Sequence, residues 1–277
     1  MSDGDAGSLF QGPVPDAYED LMVPLFFQPF ADDLVARAVA LEPVDVLEIA
    51  AGTGVVTRGL VGALPGGSTI VATDLNSDML AVAAALEDEW AEEAGEVTWR
   101  VADAQRLPFD DGSFDLVVCQ FGVMFFRDRS GSNAEVLRVL RPGGTYIFSA
   151  WDSIERNPVP CAVDTAFRRV LPDAPANVVT RVSHGYHDLD RIRTDVEAGG
   201  LVLNAIDTVE LVATADSAKA AAAALPNGGP LRVELDGYDV KARGEIEAIV
   251  AEMLEDEFGR GPVQVPMRAF VVTASRP

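Results

Sequence analysis

The residues best placed for chemistry lie in the run Glu48-Ile49-Ala50-Ala51-Gly52-Thr53-Gly54, which ends one apolar stretch and opens a helical one. Gly52 and Gly54 omit side chains where the backbone must turn tightly and approach a ligand, and the following helix aims unpaired N–H groups at it. A ligand carboxylate suits such a turn, and so does a purely structural strand-to-helix connection. Asp74 follows about twenty residues later, where doubly wound nucleotide-binding folds carry an acid for ribose hydroxyls. Its other reading is a cap on the helix starting near Asn76. Asp103, in ADAQRLPF, is placed to accept from an exocyclic amine such as that of adenine, or to serve a turn. His184 and His187 are the only two histidines and the candidate proton acceptors; a loop or helix-cap role is the alternative.

These residues need a scaffold, and the hydrophobic pattern supplies one. Apolar, β-branched runs at 44–50, 68–74, 97–103, 114–120 and 145–151 alternate with helix-length segments at 54–64, 77–93 and 133–140. Strands alternating with helices build a parallel sheet covered on both faces, the doubly wound α/β class. Two later runs, 201–211 and 267–274, would complete a seven-stranded sheet; they bracket an alanine-rich helix at 216–225, a break at PNGGP (226–230) and an amphipathic helix at 245–258. The segment 10–30 is apolar on more than one face and interrupted by Pro13, Pro15, Pro24 and Pro29, so one regular helix is not expected there. The expected organisation is a lid at 1–41, an α/β core at 42–213 that includes cap-proximal helices at 152–200, a helical cap insertion at 214–264, and a last core strand at 265–277.

Composition narrows the partners. The chain has 277 residues, 48% hydrophobic, which suits one large core with a cap. The net charge of −23 repels polyanions, so nucleic acid and anionic membranes are poor partners. No apolar run approaches the roughly 20 residues that cross a bilayer, and the start MSDGDAGSLF lacks a basic, apolar leader pattern; a cytoplasmic protein is expected. Cys119 and Cys161 make neither a disulfide framework nor a metal-ligand cluster, so no metal is expected.

VLEIAAGTG, ATDLNSDML, VADAQRLPFDDGSFDLVVCQFGVMFF and EVLRVLRPGGTYIFSAW, taken together and in order, resemble the class I S-adenosylmethionine-dependent methyltransferases, especially the ubiquinone/menaquinone-biosynthesis-like group. The resemblance covers roughly residues 44–151. It implies a Rossmann-like methyltransferase fold with strand order 3-2-1-4-5-7-6, the last strand antiparallel, and S-adenosylmethionine as cofactor. By the same resemblance Gly52, Thr53 and Gly54 would surround the methionine part, with Glu48 supporting the loop and biasing the site towards a cation. Asp74 would hold the ribose, Leu75 and Met79 would flank the adenine, and Asp103 with Ala104 would meet its amino edge. Gln120 and Phe121 would border the methionine amino group and the transfer site. Ala50 stands where the family often has its first glycine. Pro142, Gly143 and Gly144 read as the turn into the fifth strand.

Methyl transfer from a sulfonium is an in-line displacement, so the protein chiefly holds donor and acceptor aligned and dry. A base is needed only where the nucleophile must lose a proton, and His184 and His187 are the candidates. Tyr18, Phe26, Met124 and Phe125 belong to an aromatic set, with Phe27, Phe30, Phe121 and Phe126, that suits either an apolar acceptor pocket or ordinary core packing. The expected partner is a small, apolar or aromatic molecule. Two other classes share part of the pattern. A nicotinamide-dependent dehydrogenase would want a third glycine where Thr57 stands, and a non-catalytic cofactor-binding protein would keep the cofactor residues without an acceptor pocket.

Overall fold

The computed structural model describes Phe10, Gly12 and residues 14–87 and 97–277. Its helices are α1 (Val14–Ala17), α2 (Gln28–Val39), α3 (Val55–Ala63), α4 (Ser77–Glu87), α5 (Arg129–Val139), α6 (Pro158–Val170), α7 (Leu189–Ala198), α8 (Ala218–Gly228), α9 (Pro230–Leu235) and α10 (Val240–Phe258). Its strands are β1 (Asp45–Ile49), β2 (Thr69–Asp74), β3 (Val97–Val101), β4 (Phe114–Gln120), β5 (Leu140–Trp151), β6 (Val202–Ala215) and β7 (Val263–Ser275). They form a seven-stranded sheet in the order β3-β2-β1-β4-β5-β7-β6, as the resemblance implied. β1 pairs in parallel with β2 and β4, β2 with β3, and β4 with β5. β7 runs antiparallel to β5: Arg276 bonds Gly143 and Gly144 at one end, while Asp152 bonds Arg268 at the other. The fold is therefore the Rossmann-like α/β class. Residues 88–93, the expected end of the helix after β2, and Pro13 lie outside the described residues.

The chain divides into two compact units. The sheet unit comprises Phe30–Ala150, His187–Thr208 and Phe270–Pro277. Its central strands read as apolar runs because both faces are covered: Val46, Leu47 and Ile49 of β1 and Leu116, Val117, Val118 and Cys119 of β4 are buried. Pro142, Gly143 and Gly144 do not precede β5 as expected. They lie within it, where pairing jumps from Phe114 with Leu140 to Leu116 with Thr145, a bulge in a strand that starts at Leu140.

The helical unit comprises the described part of Met1–Pro29 with Trp151–Tyr186 and Val209–Ala269. Its N-terminal segment stays helical despite its prolines, but is not regular. Between α1 and α2, Tyr18–Phe27 is a π-helix containing Pro24, and the Gln28 N–H reaches the Val23 carbonyl five residues back. Pro24 donates no bond and its ring would crowd the carbonyl of residue 20 in an α-helix; the wider coil relieves both. Pro226 likewise fails to end α8, which runs on to Gly228. A Cβ at Gly228 would stand 2.8 Å from Met22 Cγ and 3.0 Å from the Ala17 carbonyl, so α8 and the N-terminal segment pack in near backbone contact. α10 begins at Val240, ahead of its apolar pattern, because the Asp239 side chain caps it by accepting from Lys241 N–H. Among the described residues, no helix is long and apolar enough to cross a membrane.

Candidate functional site

The loop after β1 is laced down by its neighbours. Ala51 N–H bonds the Thr73 carbonyl at 2.9 Å, Gly54 N–H the Ala51 carbonyl at 2.9 Å, and the Arg58 guanidinium the Thr53 carbonyl at 2.6 Å. Gly52 and Gly54 take left-handed conformations, φ 59° and 85°. A Cβ on Gly54 would meet the Trp99 ring at 2.8 Å, whereas one on Gly52 would touch only Met79 Cε at 3.5 Å. Gly54→Ala therefore combines a left-handed alanine with overpacking and should cost about 2–4 kcal/mol of stability, while Gly52→Ala should cost about 1–2 kcal/mol from the backbone alone. Urea denaturation of both variants checks this, and equal costs would remove Trp99 from the explanation.

Asp74 joins the second strand to this loop. Its Oδ2 accepts from Gly52 N–H at 2.9 Å and its Oδ1 from Asn76 N–H at 2.8 Å. It does not cap α4: the Asn76 side chain does, accepting from Asp78 N–H at 2.8 Å and Met79 N–H at 3.4 Å. Burial, opposed by the backbone hydrogen bonds, raises the Asp74 pKa. Glu48, 1% exposed, accepts from the Thr57 hydroxyl at 2.5 Å. Burial is the main cause of its pKa rising to about 8, with the hydroxyl and Arg58 opposing. Burial pushes the neighbouring Cys119 thiol up to about 12, so Cys119 is a packing residue.

The remaining sequence-predicted residues of the sheet unit lie at the same strand ends. Leu75 is exposed and Met79 buried. Asp103 Oδ1 accepts from Gln105 N–H at 2.9 Å, and Ala104 is buried beside it. Gln120 ends β4. Phe121 follows with φ 52°, its N–H bonded to the Ser149 carbonyl and hydroxyl and its ring edge-on to Phe30 at 5.3 Å. Met124 is buried, Phe125 half-buried, and Arg129 ties the Val123 and Met124 carbonyls.

In the helical unit, Phe26 is buried, and Tyr18 stacks on Phe27 at 4.9 Å. Ring contacts run on from Phe10 through Tyr18, Phe27 and Trp151 to His184, with centroids 4.9–6.2 Å apart. His184 is buried, with Nδ1 2.8 Å from the Asp152 carbonyl. A carbonyl can only accept, so in the neutral ring Nδ1 carries the proton and Nε2 is the basic nitrogen. His187 is exposed. Sequence reasoning missed Thr57 as the partner of Glu48, Trp99 as the wall beside Gly54, Gly122 beside Ala50, and Asp152 as the tether of His184. Thr57 was legible in part, since it stands one helical turn into the motif.

Thr53 Oγ1 is buried with no hydrogen-bond partner, at the N-terminal end of α3 and beside two glycines. An orphaned hydroxyl beside the open position at Gly52 fits the polar methionine end of S-adenosylmethionine.

Residues 47–148 match the family model described as a methyltransferase domain. An uncharacterized protein of Mycobacterium tuberculosis is 36% identical over 131 residues, 47% of this chain and 46% of that protein. The ubiquinone/menaquinone biosynthesis C-methyltransferase UbiE of Burkholderia orbicola is 30% identical over 199 residues, 67% of this chain and 79% of the relative. The chain belongs to the UbiE-like class I S-adenosylmethionine-dependent methyltransferases. It spans about half the length of the first curated relatives it matches. In fold it is similar to the YcgJ protein from Bacillus subtilis, with a TM-score of 0.56 and 19% identity, covering 88% of this chain and 98% of that one. Members of this enzyme family use S-adenosylmethionine as cofactor.

Proposed function

We propose that this methyltransferase transfers a methyl group from S-adenosylmethionine to a small apolar or aromatic acceptor. The observation that carries the reading is the loop after β1, with the buried, unpartnered Thr53 hydroxyl and with Gly52 held by Asp74. When bound, the cofactor supplies an electrophilic methyl group. Gly52, Thr53 and Gly54 would hold its methionine part, Asp74 its ribose hydroxyls, Leu75, Met79, Asp103 and Ala104 its adenine, and Gln120 with Phe121 the amino end. Ala50 shapes the loop, and Glu48 supports it from beneath. Tyr18, Phe26, Met124 and Phe125 are assigned to the acceptor. The ring series that includes Tyr18, Phe27 and Trp151 supports an apolar, aromatic acceptor, as does a relative named for C-methylation in quinone biosynthesis. His184 would take a proton from an acceptor that must lose one, through Nε2; His187, exposed, is the second candidate.

Calorimetry with S-adenosylmethionine, its demethylated product and nicotinamide dinucleotides tests the cofactor, and tritiated-methyl transfer to a panel of aromatic and aliphatic acceptors tests the chemistry. Tight nicotinamide binding would favour a dehydrogenase, and cofactor binding with no labelled acceptor would favour a non-catalytic role.

The N-terminal segment is proposed as a lid that excludes water from the acceptor. Amide exchange across 14–27 should slow when the demethylated cofactor is added. Equal, strong protection in both states would make the segment fixed core, as its buried Met22, Val23 and Leu25 would then suggest.

A further inference from the structure

Two residues with side chains hold left-handed backbones at the ends of adjacent strands: Ala50 after β1, with φ 55°, and Phe121 after β4, with φ 52°. Such conformations are costly for residues other than glycine and persist where the surroundings over-determine them. What surrounds Ala50 is Gly122. A Cβ on Gly122 would lie 2.4 Å from the Ala50 Cβ and 2.9 Å from Cys119 Sγ. Residue 50 carries the methyl group and residue 122 leaves the room for it.

We propose that Ala50 is a positioning residue, whose methyl group resting on Gly122 locks the loop after β1 to the loop after β4 and thereby fixes Phe121 beside the cofactor site. The inference rests on the cofactor reading above. The loop after β1 is already anchored on its other side, through Ala51 to Thr73 and Gly52 to Asp74. On the β4 side, beyond the pairing of β1 with β4, the Ala50 methyl group packs where Gly122, next to Phe121, leaves room for it. A glycine at 50 would relieve the backbone strain and release the coupling, so stability and affinity should move in opposite directions.

The test compares wild type, Ala50→Gly, Gly122→Ala and the double variant by thermal melting and by calorimetry with S-adenosylmethionine and its demethylated product. Ala50→Gly should melt about 2–4 °C higher yet bind the cofactor about five- to tenfold more weakly. A residue that only stabilised the fold would not separate the two readouts. Gly122→Ala should lose more than tenfold in affinity and melt lower, because the new methyl group meets that of Ala50. The double variant should regain a large part of both losses, and recovery of folded protein where Gly122→Ala alone does not fold counts as the same rescue. Wild-type affinity in Ala50→Gly, or a double variant no better than Gly122→Ala, overturns the proposal. If wild type binds neither ligand, the cofactor reading itself falls, and this one with it.

Discussion

Asp74→Ala should lower the affinity for S-adenosylmethionine and its demethylated product at least tenfold while leaving the protein folded. Asp74 already accepts the backbone N–H groups of Gly52, Asn76 and Leu75. An ionised carboxylate has about four acceptor positions, so one remains for a ribose hydroxyl. Hydrogen bonds to a charged group contribute about 1.5–3 kcal/mol each, and loss of one already exceeds tenfold. The substitution also leaves the Gly52 N–H without its partner, which loosens the turn. Asp74→Asn keeps a neutral acceptor for Gly52 and should fall between wild type and alanine. Calorimetry on variants with unchanged circular dichroism decides it. Wild-type affinity in Asp74→Ala would reduce the residue to a tie for the loop.

The strands were legible because burial on both faces leaves a continuous apolar run, and 114–120 matches β4 at both ends. The errors cluster at prolines and glycines. Pro226 and the Pro142-Gly143-Gly144 run each read as local breaks, but packing of α8 on the N-terminal segment and a bulge absorb them, whereas the irregularity expected around Pro24 is the π-helical coil at Tyr18–Phe27. Those outcomes depend on neighbours distant in sequence, which local propensity does not contain. For the candidate site, residue type and spacing singled out Asp74 and Asp103, and the resemblance added Glu48. They did not show which of Asp74 and Asn76 caps α4, because both types are good caps and only geometry separates them. Thr57 was read as an absent glycine; its use as a hydrogen-bond donor to Glu48 appears only when helix α3 turns it back under the loop. His184 and His187 were equivalent in sequence, and burial separates them: His184 is buried and His187 exposed.

Glu48 gives the second large effect, in the pH dependence of stability. Its pKa rises from 4.5 to about 8 in the folded protein, chiefly because burial disfavours the carboxylate. Between those values the folded state binds a proton that the unfolded state has released. The contribution of Glu48 is therefore fully present below pH 4.5, declines as pH rises, and is lost once pH passes about 8. At about 1.4 kcal/mol per pKa unit, the loss is on the order of 3–5 kcal/mol. Glu48→Gln keeps an acceptor for Thr57 and cannot ionise, so it should match wild type near pH 5 and be the more stable protein near pH 9. Urea denaturation at both pH values measures the difference, in which the general repulsion of an acidic surface cancels. A difference independent of pH would show that Glu48 titrates normally. Because a cationic ligand nearby favours the ionised carboxylate, wild-type affinity for S-adenosylmethionine should rise with pH towards 8 as the proton is released, and that rise should be absent in Glu48→Gln.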